Sequence, residues 1–198
     1  QDMIDIMRVR ESDDPYIDEV LESIYDDTNN LIDGADISAE RMRMQLLAPV
    51  GGTLGIQIGT VDNMIHNYSY DPDSSWKAKH YAELSTSSDK WDAPTTAKPL
   101  NDLRTGIQYL ASIGVTAKYL LGNSTTFDML LECDQIKDAL ITIMGTNVGF
   151  LDTDTVEEII RRKVKLEMIS YDKMYKDYDG TEKKFYPDNY VTIIGSSQ

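Results

Sequence analysis

Apolar positions in the first quarter of the chain recur at helical spacing. Tyr16, Ile17, Val20, Leu21, Ile24, Tyr25, Leu31 and Ile32 follow one another at three- and four-residue steps, and Asp18, Glu19, Glu22, Asp26 and Asp27 fall on the other face. This is the pattern of an amphipathic helix. Ser12-Asp13-Asp14-Pro15 supplies an N-cap and a proline for the first turn. A second helical stretch, Ile37 to Leu47, holds Ala39, Met42, Met44, Leu46 and Leu47, and stops at Ala48-Pro49-Val50-Gly51-Gly52. Joined across Asn29-Asn30 and Gly34, the two predict one helix of roughly 30 residues with a weak point at Gly34. A helix that long needs a sheet or another subunit to lie against. Ahead of it, alternation over Met3 to Arg10 predicts a strand or extended arm.

Residues 53–59 and 64–70 read as two strands joined by a short turn at Thr60 to Asn63. Residues 71–97 are loop-like, rich in Asp, Ser, Thr and Pro, and mark the expected boundary between two lobes. Trp76 and Trp91 within them predict a loop pinned to a surface. The second lobe reads as α/β. Pro99 opens a helix that Gly114 closes, and Val115 to Leu121 is a strand. Asn123-Ser124-Thr125 caps a helix from Thr126 to Cys133, and another covers Gln135 to Met144. Gly145 to Gly149 is an exposed loop, Thr155 to Arg162 a short helix, and Lys165 to Tyr171 a strand. Tyr178-Asp179-Gly180-Thr181 is a hairpin turn, and Tyr190 to Ile194 the last strand.

Charge narrows the possible functions. The 198 residues hold 19 basic and 34 acidic side chains, a net charge of -15. Neutralising phosphates needs a basic surface, so sequence-specific nucleic-acid binding and anionic membranes are both disfavoured. No apolar run is long enough to span a membrane. Cys133 is the single cysteine, which rules out an internal disulfide and fits a reducing setting. The chain begins at Gln1 without a signal-peptide pattern and stops directly after a strand-like run, from which we expect a piece of a longer protein.

The candidates for chemistry are weak. Gly51-Gly52-x-x-Gly55-x-x-x-Gly59 lacks the Lys-Ser/Thr pair and the helix of a phosphate loop. Asp177-x-Asp179-Gly180-x-Glu182 lacks the length and distal glutamate of a calcium loop and reads as a hairpin turn. Asp152-x-Asp154 reads as a helix cap. His66 and His80 have no metal-ligand companions at suitable spacing, and Cys133 ends an apolar stretch as a buried small hydrophobe. Met42 and Met44, two apart, cannot share a helix face. The residues point to no catalytic group, cofactor or metal site.

The order of local patterns does resemble a known family. Lys184-Phe185-Tyr186-Pro187-Asp188-Asn189-Tyr190, followed by Val191 to Ile194 and Gly195-Ser196-Ser197-Gln198, is similar to the aromatic-Pro-Asp-Asn turn, hydrophobic strand and small polar end of the lambda-type major capsid proteins, the capsid protein E family of tailed phages. Trp91-Asp92-Ala93-Pro94 leading to Lys98-Pro99-Leu100-Asn101-Asp102-Leu103 resembles that family's tryptophan-led loop into a helix. So do the helix from Ala39-Glu40-Arg41 to Leu46-Leu47, closed by Gly51-Gly52 and a strand, and the hairpin Tyr171 to Phe185. The resemblance spans residues 13–198 and corresponds to the central part of the family's protein. The Gly34 region and the acidic helix at 13–32 depart from it.

The resemblance implies an α+β chain with the tailed-phage major capsid fold, the Hong Kong ninety-seven type. A spine helix at 13–48 and peripheral strands at 53–70 would form a peripheral lobe with the connecting loop, residues 1–97. Residues 98–198 would form the axial lobe. Function would be structural, without turnover: self-assembly through hexameric and pentameric capsomers into an icosahedral shell around double-stranded DNA. Scaffold, portal and decoration proteins would be further partners, and the host cytoplasm the place of synthesis before the virion. By position in the axial lobe, Gly145, Thr146, Asn147, Val148, Gly149, Phe150 and Asp152 would make contacts near the capsomer axis. The competing reading from the residues is an acidic soluble α+β interaction module without catalytic activity, and a carboxylate-dependent hydrolase is a third.

Overall fold

The computed structural model describes residues 15–59, 65–144, 151–177 and 180–197. It is mixed α and β. In chain order the elements are α1 (Pro15–Leu47), β1 (Gly55–Gly59), β2 (Ile65–Ser69), α2 (Ser75–His80), α3 (Pro99–Ser112), β3 (Val115–Gly122), α4 (Ser124–Glu132), α5 (Asp134–Met144), α6 (Thr153–Val164), β4 (Glu167–Ser170), β5 (Met174–Lys176), β6 (Glu182–Lys184) and β7 (Thr192–Ser197). The expected arm at residues 3–10 and the turn at residues 60–63 lie outside the described residues. Two compact units divide the chain, residues 1–42 and 43–198.

The first unit is helical. α1 is 33 residues long and runs unbroken through Asn29, Asn30 and Gly34. The weak point expected at Gly34 is no break. Nothing lies within 4 Å of where a side chain at Gly34 would project, so the glycine costs only its intrinsic helix propensity. Tyr25, Leu31 and Ile32 on this helix are exposed.

The second unit begins with the last turn of α1, which Ala48 N closes on Met44 O at 2.9 Å. Gly51 and Gly52 then turn the chain at φ 62° and 73°, in left-handed territory that glycine enters without steric cost. β1 and β2 pair antiparallel, with Gly55 opposite Ser69 and Gly59 opposite Ile65. The Gln45 side chain lies along β1, accepting from Gln57 N at 2.9 Å and donating to Gln57 O at 3.2 Å. An edge strand's open backbone groups are thereby satisfied.

The segment expected to be a pinned loop contains α2, a short helix the sequence reading did not predict. The Asp71 carboxylate builds it, accepting from Trp76 N and Lys77 N, both at 2.9 Å. Trp76 stacks on His80 with ring centroids 5.4 Å apart. Trp91 is buried, and its Nε1 donates to Asp102 Oδ2 at 3.0 Å.

A three-stranded sheet of order β4-β3-β7 organises the remainder, with β4 parallel and β7 antiparallel to β3. Strand alternation sends neighbouring side chains of β3 to opposite faces. Leu120 enters the main core, among Leu100, Leu103, Phe127, Leu130, Ile136, Ile159 and Ile160 of α3 to α6. Leu121 enters a smaller cluster with Ala48 and Tyr186, flanked by Met44, Leu47 and Tyr190. β7 begins two residues later than the apolar run suggested and continues through Gly195 to Ser197. β5 and β6 form the expected hairpin, with Gly180 at φ 80°.

Candidate assembly surfaces

The stretch 184–192 joins four parts of the second unit through its side chains. Phe185 packs against Tyr171 and Tyr175. Tyr186 is fully buried, and its hydroxyl donates to Leu121 O at 3.1 Å and lies 2.8 Å from Thr192 Oγ1. Burial pushes the phenol up to about 12. Asp188 Oδ1 accepts from Lys184 Nζ at 2.7 Å and from Asn123 Nδ2 at 2.6 Å. The Lys184 ammonium, ahead of other causes, holds the Asp188 carboxyl below its ordinary range. Asn189 takes a left-handed φ of 64°, which asparagine tolerates better than most residues, and its N–H donates to Thr126 Oγ1 at 3.0 Å. The Tyr190 hydroxyl accepts from Gly51 N at 2.9 Å. This aromatic-Pro-Asp-Asn stretch acts as a clamp between helix starts and strands and offers no open cleft.

Asn123 is the buried centre of that clamp. Its Oδ1 accepts from Thr126 N at 2.9 Å and Thr126 Oγ1 at 2.6 Å, which caps α4 as expected, while its amide reaches Asp188. Reading Asn123 as a cap alone missed the second half of its role. Beside it, Asp172 receives Ser124 N and Oγ at 2.8 and 2.7 Å and Ser170 Oγ at 2.6 Å.

Of the residues expected near a capsomer axis, Gly145, Thr146, Asn147, Val148, Gly149 and Phe150 lie outside the described residues. Asp152 is described. It is the N-cap of α6, its carboxylate accepting from Thr155 N at 2.8 Å, and the Thr155 hydroxyl, followed by that N–H, holds the carboxyl below its ordinary value.

The other candidates for chemistry have structural roles here. Gly55 lets Tyr68 O approach to within 2.7 Å of where a Cβ would sit, so the glycine run serves a close strand pair. Asp177 pairs with Lys183 across the β5–β6 hairpin. His66 is exposed on β2, and His80 packs between Trp76 and Tyr109. Cys133 is buried, and that burial raises its thiol. Among the described residues no group of three or more His, Cys, Asp or Glu side chains is placed to hold a metal ion. None of the described helices is long and apolar enough to cross a membrane.

Two kinds of exposed surface stand out. One is apolar: Tyr25, Leu31, Ile32 and Ile37 on α1, and Ile58, Ile65, Tyr68 and Tyr70 on and beside the β1–β2 hairpin. The other is a shallow depression of about 440 Å³ lined by Ala117, Lys118, Tyr119, Arg161, Lys165, Leu166 and Glu167. The basic run Arg161-Arg162-Lys163-x-Lys165 stands in the sequence, where the reading by elements did not single it out. Its meeting with Lys118 depends on the packing of α6 and β4 beside β3.

A protein with interlocked helix starts, a turn-and-strand clamp and large exposed apolar surfaces has the character of an assembly subunit. A comparison with curated proteins gives no match. A family model described as phage major capsid protein E matches residues 2–197. The match takes in nearly every residue, and the chain therefore belongs to the phage major capsid protein E family, structural proteins of the virion that assemble into its shell.

Proposed function

We propose that the chain is a wall subunit of a tailed-phage head with the Hong Kong ninety-seven type of fold. In this reading α1 is the spine, β1 and β2 belong to the peripheral lobe within residues 1–97, and residues 98–198 are the axial lobe. Copies gather as hexameric and pentameric capsomers of an icosahedral shell around double-stranded DNA. Residues 145–150 and Asp152 make contacts near the capsomer axes. The subunit performs no turnover, is made in the host cytoplasm, and meets scaffold, portal and decoration proteins during assembly.

The observation that carries this reading is the exposed apolar surface. Leu31 is 76% exposed on α1 and Ile65 60% on β2, and Tyr70, just past β2, is 60% exposed. Exposed large apolar side chains in such number mark surfaces that take a partner. A closed shell covers them by repeating the same contact between identical copies. The overall acidity adds support, since a like-charged wall does not hold packaged DNA.

The test is electron microscopy of the chain expressed alone and with the other head proteins of its phage. Closed shells, tubes or hexameric sheets are expected. Small uniform particles in both preparations would overturn the reading.

A further inference from the structure

The chain's charge is unevenly spread. Residues 11–36 contain ten Asp and Glu and no Lys, Arg or His. At 100° per residue, positions 26, 33 and 36 of α1 fall within a sector of about 80°, and they extend over about 15 Å. Each is a carboxylate, and Asp26, Asp33 and Asp36 are exposed. An acidic stripe of this length repels the rest of an acidic chain. In a wall of identical copies it needs a basic surface to face.

The depression beside β3 supplies one. Lys118 is the extra residue at a register shift, where Ala117 faces Gly195 and Tyr119 faces Ile194. Such a bulge re-aims its side chain. Lys165 follows α6 in a left-handed conformation at φ 61°. Arg161 and Arg162 keep 68% and 59% of their side chains exposed although both pair with Glu158. The negative end of α6 accounts for cations in its last turn. It does not account for Lys118, which belongs to a strand. Glu157, Glu158 and Glu167 offset part of this charge, and Lys118, Arg161, Arg162, Lys163 and Lys165 leave it net positive.

We propose that the acidic stripe of α1 in one copy docks against the Lys118–Arg161–Lys165 surface of a second copy, an electrostatic contact that sets the register between neighbours. The inference rests on the shell reading above and names one of its contacts. Charge pairs across an interface act mainly on partner choice and register, and are screened by salt.

The test pairs Lys118→Glu and Lys165→Glu in the whole chain, and follows self-association by sedimentation velocity over a concentration series at low salt and at about 0.5 M salt. Wild-type association should weaken at high salt. The double variant should need roughly tenfold more protein to associate at low salt. Adding Asp26→Lys, Asp33→Lys and Asp36→Lys to it should restore association, a rescue that a misfolded variant would not show. If the double variant associates like wild type, or the added changes do not rescue it, the docking is overturned and the shell reading stands. A wild-type chain that stays monomeric at every concentration also overturns the docking, and the shell reading is decided by the microscopy above.

Discussion

The Thr192 hydroxyl donates to the Leu47 carbonyl at 2.7 Å, binding the last residue of α1 to the first residue of β7 across 145 positions of sequence. A helix C-terminus leaves carbonyls without partners, and this bond satisfies one of them. With Thr192's proton committed there, the Tyr186 proton is shared between Leu121 O at 3.1 Å and Thr192 Oγ1 at 2.8 Å. Two hydroxyls thus tie a helix end, a central strand and an edge strand.

Thr192→Val should therefore cost more than Tyr186→Phe. The first leaves a helix-terminal carbonyl unpartnered, at about 1–2 kcal/mol, and the second removes one shared bond, at about 1 kcal/mol. The double variant should cost less than the sum of the two, because both changes break one network. Urea unfolding of the three variants checks this, and strict additivity would count against the shared-proton arrangement.

Asn123→Ala should be among the more damaging single changes. It uncaps α4 and leaves Thr126 and Asp188 without their buried partner. The expected loss is about 2–3 kcal/mol, from a lost cap and an unsatisfied buried group. Asn123→Asp should keep the cap, but it sets a second carboxylate against Asp188 and should lose stability as pH rises above the carboxylate range. An urea midpoint for Asn123→Asp that does not fall between pH 4 and pH 7 would contradict this account.

Asp102 and Asp188 should pull acid stability in opposite directions. Burial, opposed by the Trp91 hydrogen bond and aided by Asp89, raises the Asp102 carboxyl above its ordinary 3.8. The folded state then binds more protons than the unfolded state, and this group's penalty at neutral pH is relieved as pH falls through its raised value. Asp188 is depressed by Lys184, so its contribution is present above 3.8 and is lost as pH falls through its lower folded value. Asp102→Asn, whose amide oxygen still accepts from Trp91, should raise stability at pH 7 and change it little at pH 3. A variant less stable than wild type at pH 7 would show that the ionised carboxylate is favourable there.

Much of this fold can be read from periodicity, and the exceptions have identifiable causes. The long helix was legible because its apolar spacing continues past Gly34, where no packing demand meets the glycine. α2 was not, because its N-cap Ser74 makes no side-chain cap bond and its first N–H groups are instead taken by Asp71, five and six residues before Trp76 and Lys77. The last strand was placed two residues early because Tyr190 and Val191 are apolar. Tyr190 instead turns aside to Gly51, and the ladder extends through Gly195 and Ser196. The acidic stripe could be read from the chain. The basic surface could not, because Lys118 meets α6 only through strand order and a register shift.

Three glycines should respond to alanine in a fixed order, set by what a Cβ would meet. At Gly195 it would lie 2.4 Å from Thr116 O and 2.7 Å from Val115 Cγ1, a strand backbone and a stiff β-branched side chain that cannot move aside without opening the β3–β7 ladder. Gly195→Ala should cost more than about 2 kcal/mol. At Gly106 the obstacle is Ile193 Cδ1 at 2.7 Å, the free end of a side chain that can rotate. The gain in helix propensity offsets part of that clash, so Gly106→Ala should fall within about 1 kcal/mol of wild type. At Gly34 there is open space, and Gly34→Ala should strengthen α1 by about 0.5–1 kcal/mol. Circular dichroism at the helix band during thermal unfolding reports all three. Gly195→Ala as stable as Gly106→Ala would mean that β7 can shift away from Thr116, and the close approach of the two strands would no longer explain why a glycine stands at 195.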